Sequence, residues 1–232
     1  LTILGVHAIR VPLKMGKGPE VNQSGGRFLA AVEKPLQNEH NNFYYGEIGF
    51  GKDSKTGKIN WVPVIFDTGS SWLWATATGC SCPHMEGPGY VDFANTDFKA
   101  EGTQSLHYGE GMGSGKLGTM TVYFSEDVFY EHQTIIAAEQ LEDFPITKTN
   151  GFFGLSHKIS SNGHPTLIEN LYTAGKIERE LFTISLRKLG QESYIAIGEI
   201  DDTNVLQGEN FVYSDLNLKG AADLYYSVKV DE

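Results

Sequence analysis

Residues 62–66 read Val-Pro-Val-Ile-Phe and stop on a carboxylate, Asp67, which is followed by Thr68-Gly69-Ser70-Ser71. A short run that is nearly all apolar fits a strand buried on both faces. Such a strand needs sheet neighbours and cover above and below, so the chain has to build a β core around it. An ionised carboxylate at the end of that strand is costly unless hydrogen bonds replace its water. Gly69 permits a tight turn that aims a backbone N–H back at the carboxylate, and Ser70 offers a hydroxyl donor. The plain alternative is an Asp-Gly turn capped by Ser. The apolar approach and the Trp72-Leu73-Trp74 that follows argue for a held, working carboxylate instead.

The neighbours of this strand are legible as further strands. Residues 43–50 alternate around small residues, 53–57 form a turn cluster (Asp-Ser-Lys-Thr-Gly), and 58–66 return, which makes a hairpin. Residues 117–124, 128–138, 181–186 and 194–197 also read as strands. The best helix is 165–174: Thr166 caps it through Glu169, Leu167, Ile168 and Leu171 form its apolar stripe, and Gly175 sits at its end. With 27 Gly and 12% aromatic residues the fold class is all-β with a few short helices.

Charge excludes some partners and divides the chain. A formal charge of −11 argues against nucleic acid or an anionic membrane as the main partner. No apolar run is long enough for a membrane span. Five cations against two carboxylates give residues 1–35 a charge of +3, so the remainder carries −14 of the total −11. Residues 9–42 therefore read as a basic arm that either docks on the acidic body or stays solvated. The sequon Asn22-Gln23-Ser24 lies in it. Residues 1–8, with Val6-His7-Ala8 as a small-x-small site, read as a signal remnant or as an ordinary apolar terminus. Leu at position 1 and a strand-like 225–230 at the other end make a fragment of a longer protein the expectation.

Val64-Ile65-Phe66-Asp67-Thr68-Gly69-Ser70-Ser71-Trp72-Leu73-Trp74 resembles the first active-site motif of the pepsin-like aspartic proteases. Tyr108-Gly109-Glu110-Gly111 resembles the tip of that family's flap hairpin. Asn150-Gly151-Phe152-Phe153-Gly154-Leu155 resembles its apolar strand under the substrate cleft, with Asn150 where Asp is common. The 165–174 helix, the 181–186 strand and 195–201 follow in family order, so the resemblance covers about 44–232. A shorter match, Ile9-Arg10-Val11-Pro12-Leu13-Lys14, resembles the family's pro-segment.

The resemblance implies a bilobal fold, with residues 43–205 as a complete first lobe and 206–232 as the start of a truncated second. It implies an aspartic endopeptidase in which Asp67 is catalytic and Thr68, Gly69 and Ser70 support it. Tyr108, Gly109, Trp74, Phe152 and Phe153 belong to the flap and substrate-binding set, with the Trp74 indole as a partner for the Tyr108 hydroxyl. It implies protein or peptide substrates, no cofactor, no metal, a monomer when both lobes are present, and a secretory route to a lysosome, a vacuole or the exterior. It also requires a second Asp-Thr/Ser-Gly, which this sequence lacks: the segments at Asp201, Asp215 and Asp223 have neither the Gly nor a buried approach strand. Two other readings stay open, a catalytically inactive pepsin-like binding protein and a one-lobe module working as a homodimer.

Three local signals need separate weighing. Cys80-Ser81-Cys82 stands where the family has a longer disulfide loop, and either a bridge or thiols that are free or paired elsewhere would fit. Zinc binding with His84 or His107 has no standard spacing behind it. Gly109–Gly115 imitates a phosphate loop, but a strand follows it and no helix does, so the glycines fit a hairpin tip better.

Overall fold

The computed structural model describes residues 32–39, 43–109, 111–144, 147–157, 161–200, 211, 213–216 and 225–228. The signal-like 1–8, the arm over 9–31 with its sequon, residues 40–42, Glu110, and 201–210 with Asp201 lie outside the described residues, as do Asp223, Lys229 and Val230.

Ten strands among the described residues form one sheet. They are β1 (Val32–Glu39), β2 (Phe43–Lys52), β3 (Ile59–Asp67), β4 (Leu73–Ser81), β5 (Lys99–His107), β6 (Met112–Tyr123), β7 (Phe129–Glu142), β8 (Gly151–Gly154), β9 (Phe182–Ser185) and β10 (Ser193–Ile197). The order is β5-β6-β7-β4-β8-β3-β2-β1-β10-β9, and β6 also pairs with β2 through Gly49–Tyr123 and Phe50–Val122. That extra pairing closes six strands on themselves and hides their edges. The fold is therefore all-β, and the apolar run 62–66 lies at its centre with Val62 and Val64 fully buried. No helix among the described residues is long and apolar enough to cross a membrane.

The 43–66 hairpin forms as its pattern requires. Asp53 closes its turn by accepting the backbone N–H groups of Lys55 at 3.0 Å and Thr56 at 2.7 Å. The helix also forms, as α1 (Leu167–Thr173), with a reciprocal cap. Glu169 N–H donates to the Thr166 hydroxyl at 3.3 Å, and Thr166 N–H donates to the Glu169 carboxylate at 2.8 Å. Leu167, Ile168 and Leu171 face the core. Replacing Thr166 with Ala is expected to cost about 1 kcal/mol of stability in urea unfolding, because the Glu169 N–H loses its hydroxyl acceptor. A change below about 0.3 kcal/mol would mean the cap contributes nothing.

Residues 32–39, the end of the basic arm, form β1, which pairs with β10 through Val32–Leu36 and with β2 through Gln37–Glu39. Leu36 is buried, and the Lys34 ammonium lies 4.8 Å from the Trp61 ring centre. The lysine stem covers apolar surface while its charge sits on an aromatic face, so a charged residue occupies a core-facing position. Burial pushes its pKa down, and the charge of Glu47 partly restores it. Of the strand expected over 225–230, Tyr225 and Tyr226 lie in a turn and Val228 bridges to Leu216, while residues 229 and 230 lie outside the described residues. Strands β4 and β5 carry no pattern that marks them in the sequence. Strand β5 is almost entirely exposed, so no alternation marks it.

Candidate active site

Strand β3 delivers Asp67 to the end of a parallel pairing with β8, where Phe66 faces Phe153 and Asp67 faces Gly154. The chain then turns through residues 68–72 and returns as β4 on the other side of β8. The loop is stitched to the end of β8 by three backbone bonds. Leu155 N–H donates to the Asp67 carbonyl at 2.8 Å, Ser156 N–H to that of Ser70 at 2.9 Å, and Gly154 N–H to that of Trp72 at 3.0 Å. Gly154 is needed for this approach: a Cβ there would lie 2.4 Å from the Ser71 carbonyl carbon. Asn150 anchors the other end of β8. It is fully buried, and its amide donates to the Gly87 carbonyl at 2.6 Å.

The half-buried Asp67 carboxylate has both oxygens engaged. Gly69 N–H donates to Oδ1 at 2.8 Å, and the Ser70 hydroxyl donates to Oδ2 at 2.6 Å. Thr68 is exposed beside them. These two donors fix the orientation of the carboxylate with no cation beside it among the described residues.

The β5–β6 hairpin brings Tyr108 to this loop. Its tip closes with Tyr108 N–H donating to the Gly111 carbonyl at 3.1 Å, and Gly111 has φ +94°, a conformation that glycine adopts without steric cost. The Trp74 indole N–H donates to the Tyr108 hydroxyl at 2.7 Å. Burial raises the Tyr108 pKa well above that of an ordinary phenol; bonds from Trp74 and Ser70 oppose this, and the charge of Asp67 adds to it. The phenol thus stays protonated next to the carboxylate. Gly109 is exposed at the same tip.

An aromatic wall backs the pair. Phe152 stacks on Trp74 with ring centres 5.0 Å apart and lies 5.4 Å from Tyr108. Phe144 also lies 5.4 Å from Tyr108, edge-on. It follows Glu142-Asp143 in a polar stretch, so nothing in the local sequence singled it out. Phe153 takes the other face: consecutive strand residues point to opposite sides, so it packs on Phe66 in the main core. Cys80 and Cys82 are bonded to each other, with Cα atoms 5.4 Å apart, in the same apolar cluster as Trp74. Among the described residues no group of three or more His, Cys, Asp or Glu side chains could hold a metal ion.

A family model described as eukaryotic aspartyl protease matches residues 43–232. Embryonic pepsinogen of Gallus gallus is 26% identical over 189 residues, which is 79% of this chain and 48% of that protein. Pepsin A of Bos taurus is 28% identical over 207 residues, 86% of this chain and 52% of its own. Procardosin-B of Cynara cardunculus is 30% identical over 226 residues, 93% of this chain and 42% of its own. The chain spans about half the length of the curated relatives it matches.

Proposed function

The chain belongs to the eukaryotic aspartyl protease family, and from that premise we propose that it carries one half of the active site of an aspartic endopeptidase. Asp67 is the catalytic carboxylate of this half. The second comes from another Asp-Thr/Ser-Gly loop, which this sequence does not contain. Two carboxylates at about 3 Å cannot both ionise, so they share a proton. The ionised one takes a proton from water as it attacks the scissile carbonyl, and the protonated one polarises the carbonyl oxygen. Gly69 and Ser70 hold Asp67 in position. Tyr108 and Gly109 close over an extended peptide, and Phe152, backed by the buried Trp74, offers an apolar surface to one of its side chains.

The observation that supports this reading is the carboxylate bonded at both oxygens beneath the Tyr108 hairpin. A secretory route to a lysosome, a vacuole or the exterior belongs to the same proposal, because the Cys80–Cys82 bond suits an oxidising compartment. We place the end of the removable arm before Val32, since β1 joins β2 to β10.

The test compares the purified 232-residue chain with a two-lobed protein, meaning this chain continued through a second Asp-Thr/Ser-Gly half. Each is incubated with denatured globin at about pH 3 to 5, where carboxyl pairs titrate. The chain alone is expected to cleave nothing, and the two-lobed protein to cleave. Turnover by a monomer of the chain would overturn the shared-site reading, and turnover only by its dimer would favour the one-lobe alternative. A two-lobed protein that binds peptide without cutting it would favour the inactive binding protein.

A further inference from the structure

Residue 226 reaches back to the Asp67 loop from 71 positions beyond Leu155. The Tyr226 hydroxyl donates to the Leu155 carbonyl at 2.7 Å. Its ring lies 4.7 Å from that of His157 and meets Phe182 of β9 edge-on at 5.7 Å. The Leu155 carbonyl and the Ser156 N–H belong to one peptide unit. That N–H donates to the Ser70 carbonyl at 2.9 Å, and the Ser70 hydroxyl donates to Asp67 Oδ2 at 2.6 Å.

We propose that Tyr226 is a positioning residue for Asp67, acting through the Leu155–Ser156 peptide unit and Ser70. A donor at a peptide carbonyl polarises the unit and makes its N–H a stronger donor in turn. The Tyr226 bond therefore tightens the Ser156–Ser70 bond, which fixes the residue whose hydroxyl aims the carboxylate. Burial, with the charges of Glu169 and Glu180, raises the Tyr226 pKa, so its hydroxyl keeps the proton it donates. Tyr108 bonds the Ser70 side chain from the hairpin side, whereas Tyr226 acts on the Ser70 backbone through the Leu155–Ser156 peptide unit. The role in catalysis rests on the endopeptidase reading; the positioning of Asp67 does not.

The test is amide hydrogen exchange in the 232-residue chain, which needs no peptidase activity. Tyr226→Phe keeps the ring and removes the donor. Exchange is expected to rise about fivefold at Ser156 and about threefold at Gly69, whose N–H reads the orientation of Asp67 Oδ1. The amides of β7 should not change. In a Ser70→Ala background, Tyr226→Phe should leave Gly69 exchange where Ser70→Ala alone puts it, because the path is already cut. Placing 3-fluorotyrosine, a stronger donor of similar shape, at 226 should slow both amides, and this arm stands even if the Phe variant does not fold. Faster exchange at Ser156 with none at Gly69 would reduce Tyr226 to a structural contact, and no change at Ser156 would remove the bond itself; either overturns the proposal. In the two-lobed protein, Tyr226→Phe should lower kcat about fivefold with KM unchanged. A wild type without turnover would count against the endopeptidase reading and leave the exchange result standing.

Discussion

Asp67→Asn in the two-lobed protein is expected to lower kcat/KM at least about 100-fold while the fold survives. The side chain keeps its shape, and an amide oxygen can still accept the Gly69 N–H now at 2.8 Å. The Ser70 hydroxyl can turn to accept from the amide NH2 in place of donating to Oδ2. Both local bonds are therefore recoverable, and the melting temperature should move by no more than a few degrees. An amide cannot share the proton of a carboxylate pair, so the chemical step is lost. Steady-state cleavage of a peptide, read beside thermal unfolding, separates the two effects. Activity above about 1% of wild type would remove Asp67 from the reaction.

Gly154→Ala should destabilise the fold strongly at the active-site loop. The new Cβ would lie 2.4 Å from the Ser71 carbonyl carbon and 2.6 Å from the Trp72 nitrogen. Both are backbone atoms of the stitched loop, so no side chain can swing aside. Relief requires β8 to part from residues 71–72, which breaks the Gly154–Trp72 bond and pulls on Leu155 and Ser156. The cost should be about 3 kcal/mol or more, or roughly 6 to 12 °C in melting temperature for a domain of this size. Gly102→Ala is the control, because a Cβ at that exposed position meets nothing within 4 Å. It should stay within about 0.5 kcal/mol of wild type. A Gly154→Ala loss below about 1 kcal/mol would mean the loop and β8 are less tightly joined than the geometry requires.

What local sequence determines is visible in particular residues. The Asp67-Thr-Gly-Ser turn places its donors within three residues of the carboxylate, and the Gly69 and Ser70 bonds follow from that short range. The α1 cap spans residues 166–169, and the 43–66 hairpin is joined by a turn that closes on itself. In each case the partners are close along the chain, and type and spacing suffice to find them. Tertiary structure decided the rest. Lys34 and Pro35 carry no strand signal, and only the neighbours β2 and β10 make β1 a strand. Phe152 and Phe153 are indistinguishable in sequence; the register of β8 sends the first to Tyr108 and the second into the main core. Phe144 and Tyr226 reach the site from polar or distant segments. Their contacts span tens of residues, and a contact of that kind exists only once the sheet has closed and set which faces meet.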